Sequence, residues 1–314
     1  MNPVSTSSAY AITLSQLQAA ETNQLNAQTQ VSTDKLADSL SGFSGQSGSI
    51  VAAQSVQARV TGLISQLKQT STQLTFQQTA LTSLSSIAQQ LQTTLTSADG
   101  LASGDNLMTQ VQDLFNQAAS ALNTQYNGQY VFSGGATSTQ PFSAAQMSDL
   151  TTQANVSSFF QNGNLNPVSR TDDNTTIQTG FTASAIGQSL MSVFQSIQAF
   201  QQGANGNFSG ALTPAQQTFL ESTVSSLNAV VASTNQTAAQ GGDIQNEITT
   251  ALTTQTARSN TLQTVIGDMT NADAAKAATN LTQAQDAFQA AADVFNTLKG
   301  MSLLNYMSST GTIG

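Results

Sequence analysis

The segment from Leu281 to Met307 reads LTQAQDAFQAAADVFNTLKGMSLLNYM, and it decides the fold predicted for this chain. Its apolar residues recur at intervals of three and four, which places them along one face of a helix. Ala fills many of the other positions, so the helix propensity is high. An isolated helix of this kind is marginal in water, and its apolar face therefore needs a partner. The residues on this face are Leu281, Ala284, Phe288, Ala291, Phe295 and Leu298.

Two interpretations of this apolar face are open. Apolar stripes on surface helices usually pack on the core of the same protein. An apolar face on a terminal helix with almost no cations indicates assembly with other subunits instead. We favour the second interpretation at both ends of the chain, because neither terminal helix has an obvious partner among the internal segments.

The composition limits the classes of function. Only 7% of the 314 residues are charged and the net charge is −9, so the polar surface must consist of Ser, Thr, Gln and Asn. Such a surface suits dense packing of identical subunits, because like charges repel little. Clustered cations, which nucleic-acid binding requires, are absent from the sequence. No apolar run is long enough to span a membrane, and the first residues lack the pattern of a cleavable signal peptide.

The chain contains neither Cys nor His. This excludes disulfides, thiolate nucleophiles, Ser-His-Asp triads and the common zinc sites. Ser65 and Lys68 match the Ser-x-x-Lys pattern of penicillin-recognising enzymes, but the companion motifs are absent. Asp172-Asp173-Asn174 lacks the Gly and the distal Glu of a calcium-binding EF-hand. The sequence therefore predicts no enzyme, no cofactor and no metal site.

The clearest helical pattern runs from Val56 to Leu95, which corresponds to a helix about 60 Å long. It predicts a coiled-coil-like rod helix that continues through Gly62. Asp105 is a candidate cap for the next helix. The apolar positions that define the rod seam are Val56, Val60, Leu63, Leu67, Leu74, Leu81, Leu84, Ala88, Leu91 and Leu95.

Helical spacing returns in the second half of the chain. Thr213-Pro214-Ala215-Gln216 predicts a helix start with a capping box. Gly241-Gly242 is a candidate kink or break, and Asn271-Ala272-Asp273 is expected to separate this segment from the C-terminal helix.

The N-terminal helix is predicted from about Ser7 to Leu40, with Tyr10, Leu14, Leu17 and Val31 on its apolar face. Glu21, Gln24 and Gln28 interrupt that face, so we expect this helix to be poorly ordered until it finds a partner.

Between the two helical halves lies a segment of different character. Gln129-Tyr130-Val131-Phe132-Ser133-Gly134-Gly135 is aromatic and β-branched and is bounded by Gly, which predicts a strand. Further short strands are expected near Phe142, Val168 and Ile177, and residues 143–160 are a candidate helix. The segment 128–180 is therefore predicted to be a small β-rich insert domain.

These segments give a palindromic layout whose halves can pair antiparallel. The predicted fold is mainly α: a long antiparallel, coiled-coil-like helical rod with paired terminal helices and a small β-containing insert. The predicted domains are a terminal assembly domain of residues 1–40 with 275–314, a rod domain of 41–127 with 181–274, and the insert of 128–180.

Three stretches of the sequence resemble the bacterial flagellin superfamily. Ala278 to Gln285 and Leu303 to Met307 are similar to the C-terminal end of these proteins. Val31-Ser32-Thr33-Asp34-Lys35 resembles their N-terminal segment, in which Gly usually stands at the position of Asp34. Asn127-Gly128-x-Tyr130-x-Phe132-Ser133-Gly134 looks like the point where hook–filament junction proteins leave their helices for a β domain. The resemblance is therefore strongest to the junction branch of the superfamily.

The resemblance implies a structural subunit of the extracellular flagellum that joins hook to filament. Its implied partners are copies of itself in a ring, a neighbouring hook-associated protein, flagellin, and a cytoplasmic export chaperone on the C-terminal helix. It also implies type III export without a cleavable signal peptide, and neither nucleic-acid binding nor membrane insertion. Filament flagellin is the first alternative, and a helical adhesin that binds a ligand through the insert is the second. The residues predicted at the assembly interface are Tyr10, Leu14, Leu17, Leu281, Ala284, Phe288, Ala291, Phe295, Leu298, Leu303 and Leu304.

Overall fold

The computed structural model describes residues 3–43 and 45–310, with side chains described for residues 8–43 and 45–300. The fold is mainly α, with long helices and short antiparallel hairpins in the insert, as the sequence predicts. The helices are α1 (Pro3–Thr33), α2 (Ser47–Gly100), α3 (Leu107–Leu122), α4 (Ala183–Gln202), α5 (Pro214–Thr270) and α6 (Ala274–Thr310). The strands are β1 (Gln125–Tyr126), β2 (Gln129–Tyr130), β3 (Val168–Asp172) and β4 (Thr175–Gln178).

The chain divides into two compact units. Unit 1 consists of Met1–Arg59 with Ser259–Gly314, and unit 2 consists of Val60–Arg258. Helices α2 and α5 each have one end in unit 1 and the remainder in unit 2. Unit 1 also holds α1 and α6, and unit 2 also holds α3, α4 and the hairpins. The three-domain division derived from the sequence stays a prediction.

In unit 2, α2 and α5 run antiparallel. Gln78 Nε2 donates to the Ala238 carbonyl at 3.1 Å, and Gln92 Nε2 donates to Asn228 Oδ1 at 2.6 Å, so residue numbers rise along one helix and fall along the other. The rod seam of α2 faces the hydrophobic core of unit 2. The buried residues of this seam within unit 2 are Val60, Leu67, Leu74, Leu81, Leu84, Ala88, Leu91 and Leu95.

Helix α5 begins where the sequence predicts. The backbone N–H of Gln216 donates to Thr213 Oγ1 at 3.3 Å, and the backbone N–H of Thr213 donates to Gln216 Oε1 at 2.9 Å. These reciprocal bonds form the predicted capping box. The predicted break at Gly241-Gly242 is wrong, since α5 continues through both residues. Gly241 instead lies where α2 packs closely, because a Cβ there would be 2.5 Å from Gln78 Oε1 and 2.9 Å from Leu81 Cδ1.

The insert is built around buried aromatic side chains. Phe142 lies edge-on to Phe115 of α3, with ring centroids 6.2 Å apart, and Phe115 lies edge-on to Phe194 of α4 at 5.6 Å. Phe132 is also fully buried. These contacts attach the insert to the core formed by α2, α3 and α4.

Hairpin β3–β4 packs on a second, smaller cluster in unit 2. Ile177 of β4 contacts the buried group of Leu67, Leu74 and Ile248. The Gln255 side chain, which is buried, donates to the Thr171 carbonyl at 3.1 Å. The hairpin therefore closes one side of the α2–α5 pair.

Other local predictions differ from the structure. The strand predicted for Gln129 to Gly135 contains only Gln129 and Tyr130 in β2, because the backbone then turns and buries Val131 and Phe132. Two short 3-10 helices, Met147–Thr152 and Val156–Phe159, replace the helix considered for 143–160.

Two expected helix ends also differ. Asn106, and not Asp105, is the N-cap of α3, since Asp105 Oδ1 accepts a bond from the Gly210 N–H at 2.8 Å. The first helix ends at Thr33 because Asp34 adopts a left-handed conformation, with φ 54°. That conformation favours Gly and is tolerated by Asp.

Candidate assembly surface

The two ends of the chain meet as an antiparallel helix pair in unit 1. The ring of Tyr10 on α1 contacts the ring of Phe295 on α6, and Lys35 Nζ donates to Asn271 Oδ1 at 2.6 Å. Backbone bonds complete this end of the pair, with the Leu36 N–H on the Thr270 carbonyl at 2.9 Å. The predicted pairing of the two terminal helices is confirmed, because each is the partner of the other.

The predicted interface residues of α6 line the side that α1 partly covers. All six from Leu281 to Leu298 are half-buried, and so are Leu14 and Leu17 on α1. Tyr10 is 42% exposed even though its ring contacts α6. The side chains of Leu303 and Leu304 lie outside the described residues. The structure thus brings the described set together in one chain, and its role between subunits stays a prediction.

The buried positions of the α1–α6 pair are small residues that the sequence analysis did not single out. Among the described side chains of these two helices, only Thr13, Ala27 and Ala277 are buried. Ala27 lies inside while Gln28 and Glu21 are exposed, so the inner face of α1 departs from the heptad positions used for the prediction. Small residues permit close helix approach but contribute little apolar area, and the pair therefore has a thin core.

A shallow groove of about 620 Å³ runs between α1 and α6. Amide and methyl side chains line it, without a charged group. They are Gln16, Ala19, Ala20, Asn23, Asn26, Ala27, Gln30, Asn280, Gln283, Ala284 and Ala287. Such a surface can accept a neutral polar or weakly apolar neighbour with little electrostatic cost.

Large apolar side chains remain exposed on both helices of the pair. Ile12 is 56% exposed, Leu25 57% and Val294 54%. Single exposed apolar residues are common on proteins. Combined with a thin core, however, they indicate a helix pair that can bury much more apolar surface against neighbours.

Two polar constellations that the sequence offers lie in unit 2. Ser65 and Lys68 are both exposed on α2, and Ser65 Oγ donates to the Thr61 carbonyl at 3.1 Å. Asp172 lies 3.3 Å from Arg258. The backbone N–H of Asp173 is the main group that lowers the pKa of Asp172, and the positive charge of Arg258 lowers this pKa further. Asp172 therefore serves to anchor the β3–β4 hairpin to α5.

Within the described ranges, no three acidic side chains come close enough together to hold a metal ion. Among the same residues, no helix has the length and hydropathy needed to cross a membrane.

Comparison with known proteins gives a match in structure alone. No protein-family model matches the chain, and no curated protein does. The chain is similar to the structure of a protein from Vibrio parahaemolyticus assigned as a flagellar hook-associated protein, with TM-score 0.58 and 18% identity over 73% of this chain and 100% of that chain. It also matches FlgL from Bacillus cereus with TM-score 0.42 and 16% identity, over 63% of this chain and 98% of that one. The first likeness establishes a shared fold. The TM-score of the second is too low to carry an argument.

Proposed function

We propose that this chain is a structural, non-enzymatic subunit of the bacterial flagellum, the hook–filament junction protein also called hook-associated protein 3. The observation that carries the proposal is the α1–α6 pair. It joins both chain ends, buries only small residues among its described side chains, and leaves Ile12, Leu25 and Val294 exposed. The shared fold with the Vibrio protein and the flagellin-like chain ends support the same function.

The thin core of the pair explains why neighbours are needed. Two helices alone bury too little apolar area to offset the entropy lost on ordering them. Neighbouring subunits that cover the exposed residues supply the missing area. Because only 7% of the residues are charged, copies can pack closely without strong repulsion. We therefore place copies of this chain, a second hook-associated protein and flagellin around the α1–α6 pair.

The same helix pair has a consequence for export. Before assembly α6 carries an apolar face that other proteins in the cell can bind. A cytoplasmic chaperone that covers this face until type III export is therefore part of the proposal. The extracellular flagellum is the proposed final location.

Deletion of the gene in its own bacterium tests the junction function. We expect cells with hooks but no filaments, and flagellin released into the medium. Complementation with the intact gene should restore filaments. Filaments that persist in the deletion strain would refute the junction function, and a loss of surface attachment in that strain would favour the adhesin alternative.

Copy number and self-assembly separate this proposal from filament flagellin. A junction subunit needs one ring, whereas flagellin needs an interface that propagates without closing. We expect each purified flagellum to contain only as many copies of this chain as one ring holds. We also expect the concentrated protein to form no long filaments when filament seeds are added. Long filaments made of this chain alone would overturn the junction proposal in favour of flagellin.

A further inference from the structure

Three Asn-Gly pairs occur in the chain, and their surroundings differ. They are Asn127-Gly128, Asn162-Gly163 and Asn205-Gly206. In an Asn-Gly pair, the backbone nitrogen of Gly can attack the side-chain amide of Asn, because Gly has no Cβ to hinder the approach. Whether it does so in a folded protein depends on which of the two groups is already held by hydrogen bonds.

Asn127 and Gly128 form the two-residue turn between β1 and β2. Both have positive φ, 50° and 74°, as this type of hairpin turn requires. Both are exposed, and a Cβ placed on Gly128 would meet nothing within 4 Å. Among the hydrogen bonds of the described residues, none holds the Asn127 side chain or the Gly128 N–H. Both reacting groups of this pair are thus available.

In the Asn162-Gly163 pair, hydrogen bonds hold both the Asn side chain and the Gly N–H. Nδ2 of Asn162 donates to Ser184 Oγ at 3.0 Å, and its Oδ1 accepts the Ser184 N–H at 3.0 Å, in the first turn of α4. The N–H of Gly163 donates to the Ser133 carbonyl at 2.8 Å. Attack at this pair requires these bonds to break first.

Asn205 is an intermediate case. Its side chain is exposed, but the Gly206 N–H donates to the Gly203 carbonyl at 3.0 Å. One reacting group is therefore held and the other is available.

We propose that Asn127 is a site of spontaneous deamidation in the folded protein. The Gly128 nitrogen loses its proton to solvent base and forms a bond to Cγ of Asn127, and the side-chain nitrogen leaves as ammonia. Water then opens the resulting succinimide at either carbonyl and leaves an aspartyl or isoaspartyl residue at position 127. No oxidant, reductant or enzyme takes part.

The modification changes a turn that positions core residues. An isoaspartyl residue adds a methylene to the backbone, which lengthens the turn that joins the paired residues Tyr126 and Gln129. The same hairpin leads into buried Val131, whose N–H donates to the Thr124 carbonyl at 3.0 Å. Either product also adds one negative charge to a chain in which charged residues are rare.

The test is peptide mapping by mass spectrometry after incubation of the folded, full-length protein at mildly alkaline pH. We expect Asn127 to convert at least about tenfold faster than Asn162, because each hydrogen bond that must break first slows attack several-fold. Asn205 should fall between them. In guanidinium chloride the three rates should converge, since the bonds that distinguish the pairs are lost.

Two results would overturn the proposal. One is conversion of Asn162 as fast as that of Asn127 in the folded protein. The other is the same rate ratio with and without guanidinium, which would assign the difference to local sequence. Asn127→Gln provides the control, because attack on its longer side chain closes a less favoured ring and the signal at position 127 should disappear.

Discussion

The ring of Tyr10 in the first half of α1 lies against the ring of Phe295 in the second half of α6, with centroids 5.1 Å apart and planes inclined by 43°. These residues are separated by almost the whole chain, so the contact fixes how the two ends align. It is also an aromatic contact in a pair whose buried side chains are all small. The first prediction therefore concerns this contact.

Phe295→Asp together with Phe288→Asp should abolish incorporation into flagella while leaving unit 2 folded. Each substitution removes an aromatic ring from a half-buried position and places a carboxylate there without a partner, at a cost of about 1–3 kcal/mol. The measurements are motility and the amount of the chain in purified flagella, with circular dichroism of the pure protein.

Asn296→Asp is the matched control, because Asn296 neighbours Phe295 but is exposed. It adds one negative charge, as each of the two Phe substitutions does, without removing apolar contact, and it should assemble normally. Normal motility in the double Phe variant would show that this helix face is not needed for assembly.

A second prediction compares two adjacent glycines in α5. Gly241→Ala places a Cβ against Gln78 and Leu81 of α2, whereas Gly242→Ala meets nothing within 4 Å. Ala improves helix propensity by about 1 kcal/mol at either position, but overpacking costs about 1–3 kcal/mol. Gly242→Ala should therefore raise the free energy of unfolding in urea, and Gly241→Ala should lower it. Equal stabilisation by both would contradict the close helix approach at Gly241.

A third prediction concerns the thin core of the α1–α6 pair. We expect the isolated protein to be monomeric and to lose residues up to about 40 and beyond about 275 in limited proteolysis, since exposed, weakly packed ends are cleaved first. Unit 2, with its large buried core, should survive. Thermolysin digestion followed by mass spectrometry gives the boundaries. Intact ends after unit 2 has been cleaved would reverse this order of stability.

A fourth prediction concerns the capping box of α5. Thr213→Val keeps the shape of the side chain but removes the oxygen that accepts the Gln216 N–H. It should destabilise the protein by about 1 kcal/mol in urea unfolding. Thr213→Ser keeps that oxygen and should have little effect. A Val variant as stable as the Ser variant would mean that this bond makes no net contribution.

The elements that the sequence predicted well depend on local patterns. The three-four spacing from Val60 to Leu95 defined the buried face of α2, and the pattern from Thr213 to Gln216 defined the start of α5. Both follow from interactions within a few turns of one helix. The break expected at Gly241-Gly242 was wrong because helix propensity is a weak preference that packing overrides. The absence of a Cβ at Gly241 allows α2 to approach closely, and that contact is invisible without α2 in place.

At the candidate assembly surface, too, local patterns were predictable from the sequence and the individual contacts between distant residues were not. Periodicity alone determined that Leu281, Phe288 and Phe295 share one face of a helix and that this face needs a partner. The palindromic layout also predicted that the terminal helices pair. Only the tertiary structure decided that Ala27, and not Gln28, lies on the inner side of α1, and that Ile12 and Val294 remain exposed. The repeat of a helix specifies which side chains point together, whereas the choice of partner depends on contacts between residues far apart in the chain.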